Sequence, residues 1–246
     1  MTEGLLLLHA FPLDASMWEP QVRAVTGLAV VAPNLPGFGS APLAGPVMTM
    51  DAAADAAADA ATAAGLDRVV VCGLSMGGYV ALAFWRRHRD RVAGLVLANT
   101  KSGADDEAGR DRRRALADRL RSEGNAFLVD APPPLLSADA PEDLWARVKG
   151  IIAAQPAEAI AAASLGMADR PDSIPDLAGI DVPTLVITSS GDTLIPPEAT
   201  TPMADQIPGA RLEVIEGAGH LSNLEAADRF TELLQEHAAS SGVRAG

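Results

Sequence analysis

Three short stretches of the chain carry the residue types of acyl transfer: Gly73-Leu74-Ser75-Met76-Gly77-Gly78, Gly191-Asp192 and Gly219-His220. A serine hydroxyl is a poor nucleophile until a base takes its proton. An imidazole base in turn needs a carboxylate to orient it and to hold its charged form. Ser75 stands in a G-x-S-x-G pattern, between the β-branched run Val69-Val70-Val71 and a helix-period segment. A strand that turns abruptly into a helix strains the corner residue, so its neighbours must be small. The corner lifts the hydroxyl above the sheet edge at a helix N-terminus, where N–H groups and the helix dipole favour developing negative charge. Taken singly, each residue has a plainer reading: an idle serine in a glycine-rich turn, a turn aspartate in Gly-Asp, a structural histidine. Taken together, each follows a strand, and they run in the order Ser, Asp, His that accompanies such a corner.

Acyl transfer also needs donors for an oxyanion. The N–H of Met76 is one candidate, and that of Phe11, in the loop after the first strand, is the other. His9 reads as a brace for that loop. Asp105 and Asp106 are rival acids, but their Asp-Asp-Glu run reads as a solvated helix start. His88, set among arginines, and His237, near the C-terminus, are expected at the surface. Asp51, Asp55 and Asp59 fall at i, i+4 spacing, a straight stripe that cannot surround a cation and reads as a solvated face. No histidine pair or cysteine cluster has metal-ligand spacing, so no metal and no other cofactor is expected.

The elements that position these residues follow from periodicity. Strands are expected at about 5–8, 28–32, 68–72, 92–98, 183–189 and 211–216, all but the second of them read as buried and several as continuous apolar runs suited to a parallel sheet covered on both faces. Helical segments near 14–22, 49–64, 76–89 and 223–237 alternate with them, which indicates a doubly wound α/β sheet of about six strands. Ser75, Asp192 and His220 then lie at the C-terminal ends of strands, on one edge. Between Lys101 and Pro175 the alternation stops. Helical patterns at 106–123, 141–155 and 157–169 are broken there by Pro132-Pro133-Pro134 and Pro156. A helical lid over the ligand-binding edge is the expectation, with a core of residues 1–100 and 176–246 and a lid of residues 101–175. Phe127, Trp145 and Met167 are the lid side chains expected to form an acyl pocket, with plain packing inside the lid as the alternative.

Composition narrows the function classes. A chain of 246 residues, 48% apolar and 21% charged, can form one large α/β domain. Its formal net charge of -13 repels phosphate backbones and anionic membrane surfaces, so neither nucleic acid nor a membrane is an expected partner. Cys72 is the sole cysteine, which rules out an intrachain disulfide. Leu5 to Leu8 lacks the basic flank of a signal peptide, and no apolar run reaches membrane-spanning length, so a cytoplasmic protein is expected.

Along nearly its whole length the chain resembles the α/β-hydrolase superfamily. The likeness rests on His9-Ala10-Phe11-Pro12, Pro36-Gly37-Phe38-Gly39-Ser40, Gly73-Leu74-Ser75-Met76-Gly77-Gly78, Gly191-Asp192 and Gly219-His220. Within it, Leu97-Ala98-Asn99-Thr100 and His220-Leu221-Ser222-Asn223-Leu224-Glu225 look most like the 3-oxoadipate enol-lactonase and small carboxylesterase branch. Met17-Trp18-Glu19-Pro20-Gln21 is similar to esterases and cofactor-free perhydrolases. The resemblance implies an α/β-hydrolase fold without the usual N-terminal hairpin, the catalytic roles on Ser75, Asp192 and His220, and the oxyanion roles on Phe11 and Met76. Ala10 stands where the family usually has glycine, which is expected to tighten the oxyanion loop. The implied activity is hydrolysis of small carboxylic esters or lactones. Enol-lactonase or perhydrolase chemistry is the alternative, and a non-catalytic ligand-binding module is the alternative of another class. An acidic chain with an apolar lid fits neutral esters better than a dianionic enol-lactone, an ordering that one pocket arginine would reverse.

Overall fold

The apolar runs pair with one another. In a computed structural model describing residues 2–243, the strands are β1 (Glu3–Leu8), β2 (Ala29–Val31), β3 (Arg68–Leu74), β4 (Val92–Ala98), β5 (Thr184–Ser189) and β6 (Arg211–Ile215). They form one sheet in the order β2-β1-β3-β4-β5-β6, with every adjacent pair parallel. Leu5 to Leu8 and all of β4 are buried, as strands covered on both faces must be. β6 departs from the expectation of burial. It pairs with β5 alone, and as an edge strand it leaves Leu212 and Val214 exposed.

The first two helices are α1 (Glu19–Ala24), entered through a 3-10 turn at Ala15–Trp18, and α2 (Met50–Ala63). Asp14 caps the turn by accepting from the Ser16 N–H, and Thr49 caps α2 by accepting from the Ala52 N–H. The aspartate stripe of α2 meets the next helix, α3 (Met76–Arg87): Asp55 accepts from Arg87 and contacts His88 at 2.9 Å, and Asp51 pairs with Arg87. Between β4 and β5 lie α4 (Glu107–Glu123), α5 (Ala126–Asp130), α6 (Glu142–Ala154) and α7 (Ala157–Ala168), then the single turn α8 (Ile174–Leu177). This is the helical insertion expected from the break in alternation, with the five-residue α5 added. Short turns α9 (Pro197–Thr200) and α10 (Pro202–Gln206) precede β6. The C-terminal helical segment is divided at Ala226 into α11 (Ser222–Glu225) and α12 (Ala227–Ser240).

The strand order fixes where a ligand can bind. From β1 the chain runs outward to β2, returns to β3 on the other side of β1, and then proceeds one way to β6. The crevice outside the carboxyl ends of β1 and β3 is therefore the topological switch point, the ligand-binding place of an open α/β sheet. Phe11 follows β1 and Ser75 follows β3. Among the described residues no single helix is long and apolar enough to cross a membrane.

Candidate active site

Ser75 occupies the N-cap of α3 with φ 56° and ψ -116°, a region that a side chain tolerates only under constraint. The constraint is visible. The Ser75 N–H donates to the Ala98 carbonyl at 3.0 Å, and its own carbonyl accepts from Gly78 N–H at 2.9 Å and Thr100 Oγ1 at 2.8 Å. The neighbouring glycines are demanded by close approach. A Cβ on Gly73 would lie 2.0 Å from the Gly77 carbonyl oxygen, and one on Gly77 would lie 2.0 Å from that of Leu8. Unlike most N-cap serines, Ser75 makes no side-chain capping bond, so its hydroxyl is left to face the cavity it helps to line.

His220 and Asp192 meet as their positions after β6 and β5 suggest: His220 Nδ1 lies 2.8 Å from Asp192 Oδ2, both side chains being fully buried. Burial alone would push the Asp192 carboxyl up. The hydrogen bond and charge of His220, the Ile195 N–H and the Asn99 amide outweigh it and hold Asp192 below the usual carboxylate value. An ionised carboxylate only accepts, so Nδ1 carries the proton and Nε2 presents its lone pair. That Nε2 is buried and has no hydrogen-bond partner among the described residues. It therefore makes no bond to Ser75 Oγ here, a contact that often closes only when substrate arrives.

The rest of the frame holds these groups in place. Glu225 accepts from the Gly219 N–H at 2.8 Å and from the Ser137 N–H at 3.1 Å, which ties the His220 loop to the loop after α5. His9 braces as expected: its Nε2 accepts from the Leu35 N–H at 3.0 Å, while Nδ1 lies 3.0 Å from the Ala10 carbonyl. Burial lowers the His9 imidazole to about 4, so it stays neutral and keeps that accepting lone pair. Ala10 donates its N–H to Met17 Sδ at 3.2 Å, which pins the loop that carries Phe11. The N–H groups of Phe11 and Met76 have no acceptor among the described residues. Asn99, not singled out by its sequence, is part of the same network, and its place directly after β4 is the sign of it.

A cavity of about 720 Å³ opens at Ser75 and is walled by α4, α5 and the loop after β5. Phe11, Phe127 and Met167 line it. Trp145 does not, because α6 lies toward the 3-10 turn (Arg147 donates to Ser16 and Glu19) and Trp145 packs half-buried against the core. The lining also includes Lys101, Arg112, Arg113 and Arg119 against a single carboxylate, Asp105. The cavity thus combines apolar side chains with cations, and it holds the pocket arginine on which the ordering of neutral ester over dianionic enol-lactone turns. Asp105 is no solvated helix start either: it is buried and paired with Arg113, Arg170 and Lys101, whereas Asp106 caps α4 through the Gly109 N–H. His237 corrects another expectation. It is buried, and desolvation lowers it to about 4.

The sheet, the strained serine corner and the cavity at the switch point define a hydrolase of the α/β type. The chain belongs to the alpha/beta hydrolase family, whose sequence model matches residues 5–233. It is 30% identical to a pimeloyl-[acyl-carrier protein] methyl ester esterase from Aromatoleum aromaticum, over 94% of this chain and 96% of that one. Among solved structures it is similar to a thermophilic esterase from Thermogutta terrifontis with malate bound (38% identity, TM-score 0.93, covering 98% of this chain and 90% of that one). It is also similar to the enol-lactonase from Burkholderia xenovorans LB400 (28% identity, TM-score 0.87, covering 97% and 92%).

Proposed function

We propose that the protein is a serine hydrolase that cleaves small carboxylic esters or lactones through an acyl-enzyme. The observation that carries this reading is His220, held by Asp192 through Nδ1 with its Nε2 buried and unpartnered. Nε2 takes the proton of Ser75 as Oγ attacks the ester carbonyl, and Asp192 stabilises the imidazolium that forms. The N–H groups of Phe11 and Met76 receive the oxyanion, each such donor contributing on the order of 3 kcal/mol. His220 returns the proton to the leaving alkoxide. Water then attacks the acyl-enzyme, again giving its proton to Nε2, which passes it to Ser75 Oγ as the acid leaves. Residues 101–175 act in this scheme as a lid over the core of residues 1–100 and 176–246.

Hydrolysis of p-nitrophenyl acetate by wild type and Ser75→Ala tests the reading. A loss of about 10³-fold or more in kcat is expected. A fluorophosphonate should add to wild type at Ser75, located by peptide mass. Equal rates for the two proteins would make this fold a binding module instead. Lactone hydrolysis is the second reading, favoured by the cationic cavity lining and by the likeness to an enol-lactonase.

A further inference from the structure

The charge of the cavity opposes that of the chain. A protein of net charge -13 places four cationic side chains and one carboxylate around the space that Ser75 opens into. The arrangement is built rather than scattered. Gly109, Arg112, Arg113, Leu116 and Arg119 all line the cavity, and their spacing of three, one, three and three residues puts them on one face of α4.

Arg119 is paired with Glu123 at 2.9 Å, but Asp105 alone cannot neutralise the other cations around it. Asp105 Oδ1 meets Arg170 Nη2 at 2.9 Å and Lys101 Nζ at 3.1 Å, and its Oδ2 accepts from Arg113 Nε. Three cations thus share one anion. Arg113 spends only its Nε on Asp105, and the partner of its Nη1 is Met167 Sδ at 3.4 Å, a weak acceptor. Arg112, beside it on the cavity face, has no carboxylate partner among the described residues. Guanidinium N–H groups left without oxygen acceptors at the wall of a cavity suit a planar, two-oxygen anion.

We propose that Lys101, Arg112 and Arg113 form a carboxylate-binding subsite under the lid, so that the ester cleaved at Ser75 carries a second, free carboxylate remote from the reacting carbonyl. This rests on the hydrolase reading above. The apolar wall of Leu116, Phe127 and Met167 takes the carbon chain between the two ends, and the product is a dicarboxylate. The local positive field draws such substrates in against the charge of the whole protein.

Monomethyl adipate and methyl hexanoate, of similar length and differing in the free carboxylate, are the probes. Wild type should favour the acid ester in kcat/KM by about tenfold or more, the equivalent of one charge-assisted hydrogen bond. The preference should appear in KM and shrink as salt is added. Arg112→Gln, at an exposed position that does not endanger the fold, and Arg113→Gln should each lower the ratio of the two esters, and the double variant should bring it to parity. Titration of adipate into Ser75→Ala protein reads the same subsite without turnover and should show binding that Arg113→Gln weakens. Equal kcat/KM for the two esters in wild type, or a ratio unmoved by the variants, overturns the subsite and leaves the hydrolase standing. Failure of the hydrolase reading looks different: neither ester is cleaved any faster by wild type than by Ser75→Ala.

Discussion

Asn99 and His220 donate to the same oxygen: Asn99 Nδ2 lies 2.9 Å and His220 Nδ1 2.8 Å from Asp192 Oδ2. The other carboxylate oxygen accepts from the Leu194 and Ile195 N–H groups, each at 2.9 Å. Asp192 is thus fixed from four directions, and Asn99 is itself fixed by Ser222, whose hydroxyl donates to its Oδ1 at 2.7 Å. Asn99 adopts φ 44°, so the chain holds a left-handed residue directly after β4 in order to aim this amide.

On the proposed mechanism Asn99 is a positioning residue, and two substitutions separate its side chain from its backbone. Asn99→Gly keeps the left-handed conformation available and removes the amide. It should lower kcat about tenfold with KM little changed, because the imidazole is less well aimed while the cavity is intact. Asn99→Ala should lose the same activity and a further ~1 kcal/mol of stability from the strained φ. Steady-state kinetics and urea unfolding of the pair measure both effects. An Asn99→Gly enzyme with wild-type kcat would deny the residue this role.

The glycines around Ser75 make a steric prediction. A Cβ on Gly77 would stand 2.0 Å from the carbonyl oxygen of Leu8 in β1, and its nearest neighbours are all backbone of Leu8 and His9, with no flexible side chain to give way. Gly77→Ala should cost about 3 kcal/mol or more, whereas Gly45→Ala, with nothing within 4 Å, should stay within about 0.5 kcal/mol. Thermal unfolding of the two variants decides it.

Much of this arrangement was legible in the sequence because steric demand leaves a fixed mark. Only small residues fit beside a strained serine, so Gly73, Gly77 and Gly78 announce the corner, and the continuous leucines of β1 announce a sheet covered on both faces. That the arginines of α4 line a cavity was not legible, since charged residues at helical spacing look alike whether they face water or a cavity. Trp145 was misplaced for a related reason: a large aromatic in an inserted helix marks a buried face, not which neighbour covers it. His237 shows spacing to be a better guide than residue type. It falls on the same face of α12 as Phe230, Leu233 and Leu234 and is buried with them, although a histidine near a terminus suggests the surface. Asn99 escapes notice because its role depends on Asp192 and Ser222, distant in sequence, meeting its amide after β4, although asparagine suits the left-handed angle it adopts.

The buried cation network gives a third prediction. Arg170 is almost wholly buried, lies 4.1 Å above the Tyr79 ring, and donates to the Met167 and Gly103 carbonyls, each at 2.8 Å, as well as to Asp105. Arg170→Met should cost about 2–4 kcal/mol, because two carbonyls and part of a carboxylate lose their donors in a place water does not reach. Arg114, whose pairing with Asp169 is half exposed on both sides, makes the contrast. Arg114→Ala should change stability by less than about 0.5 kcal/mol. Urea unfolding at neutral pH checks both.

The last prediction concerns acid. His9 and His237 are both buried, and burial lowers each imidazole from 6.5 to about 4 in the folded chain. In the unfolded chain both regain the ordinary value, so between pH 6.5 and about 4 the unfolded state binds protons that the native state refuses. The stability these neutral rings represent is complete above the unfolded value. It falls as the pH drops through that window and is gone below the folded value. A displacement of this size corresponds to about 3 kcal/mol per ring, so the two together can remove a large part of the stability of a domain this size. Asp192 adds a loss in the same direction at lower pH, since its folded value lies below the ordinary one. His237→Leu should therefore differ from wild type in slope rather than only in level. The stability gap between the two proteins should shift in favour of the variant as pH falls from 6.5 toward 4, because leucine has no proton to accept. Urea unfolding of both proteins across that range measures it, and parallel curves would show that His237 takes up its proton without unfolding.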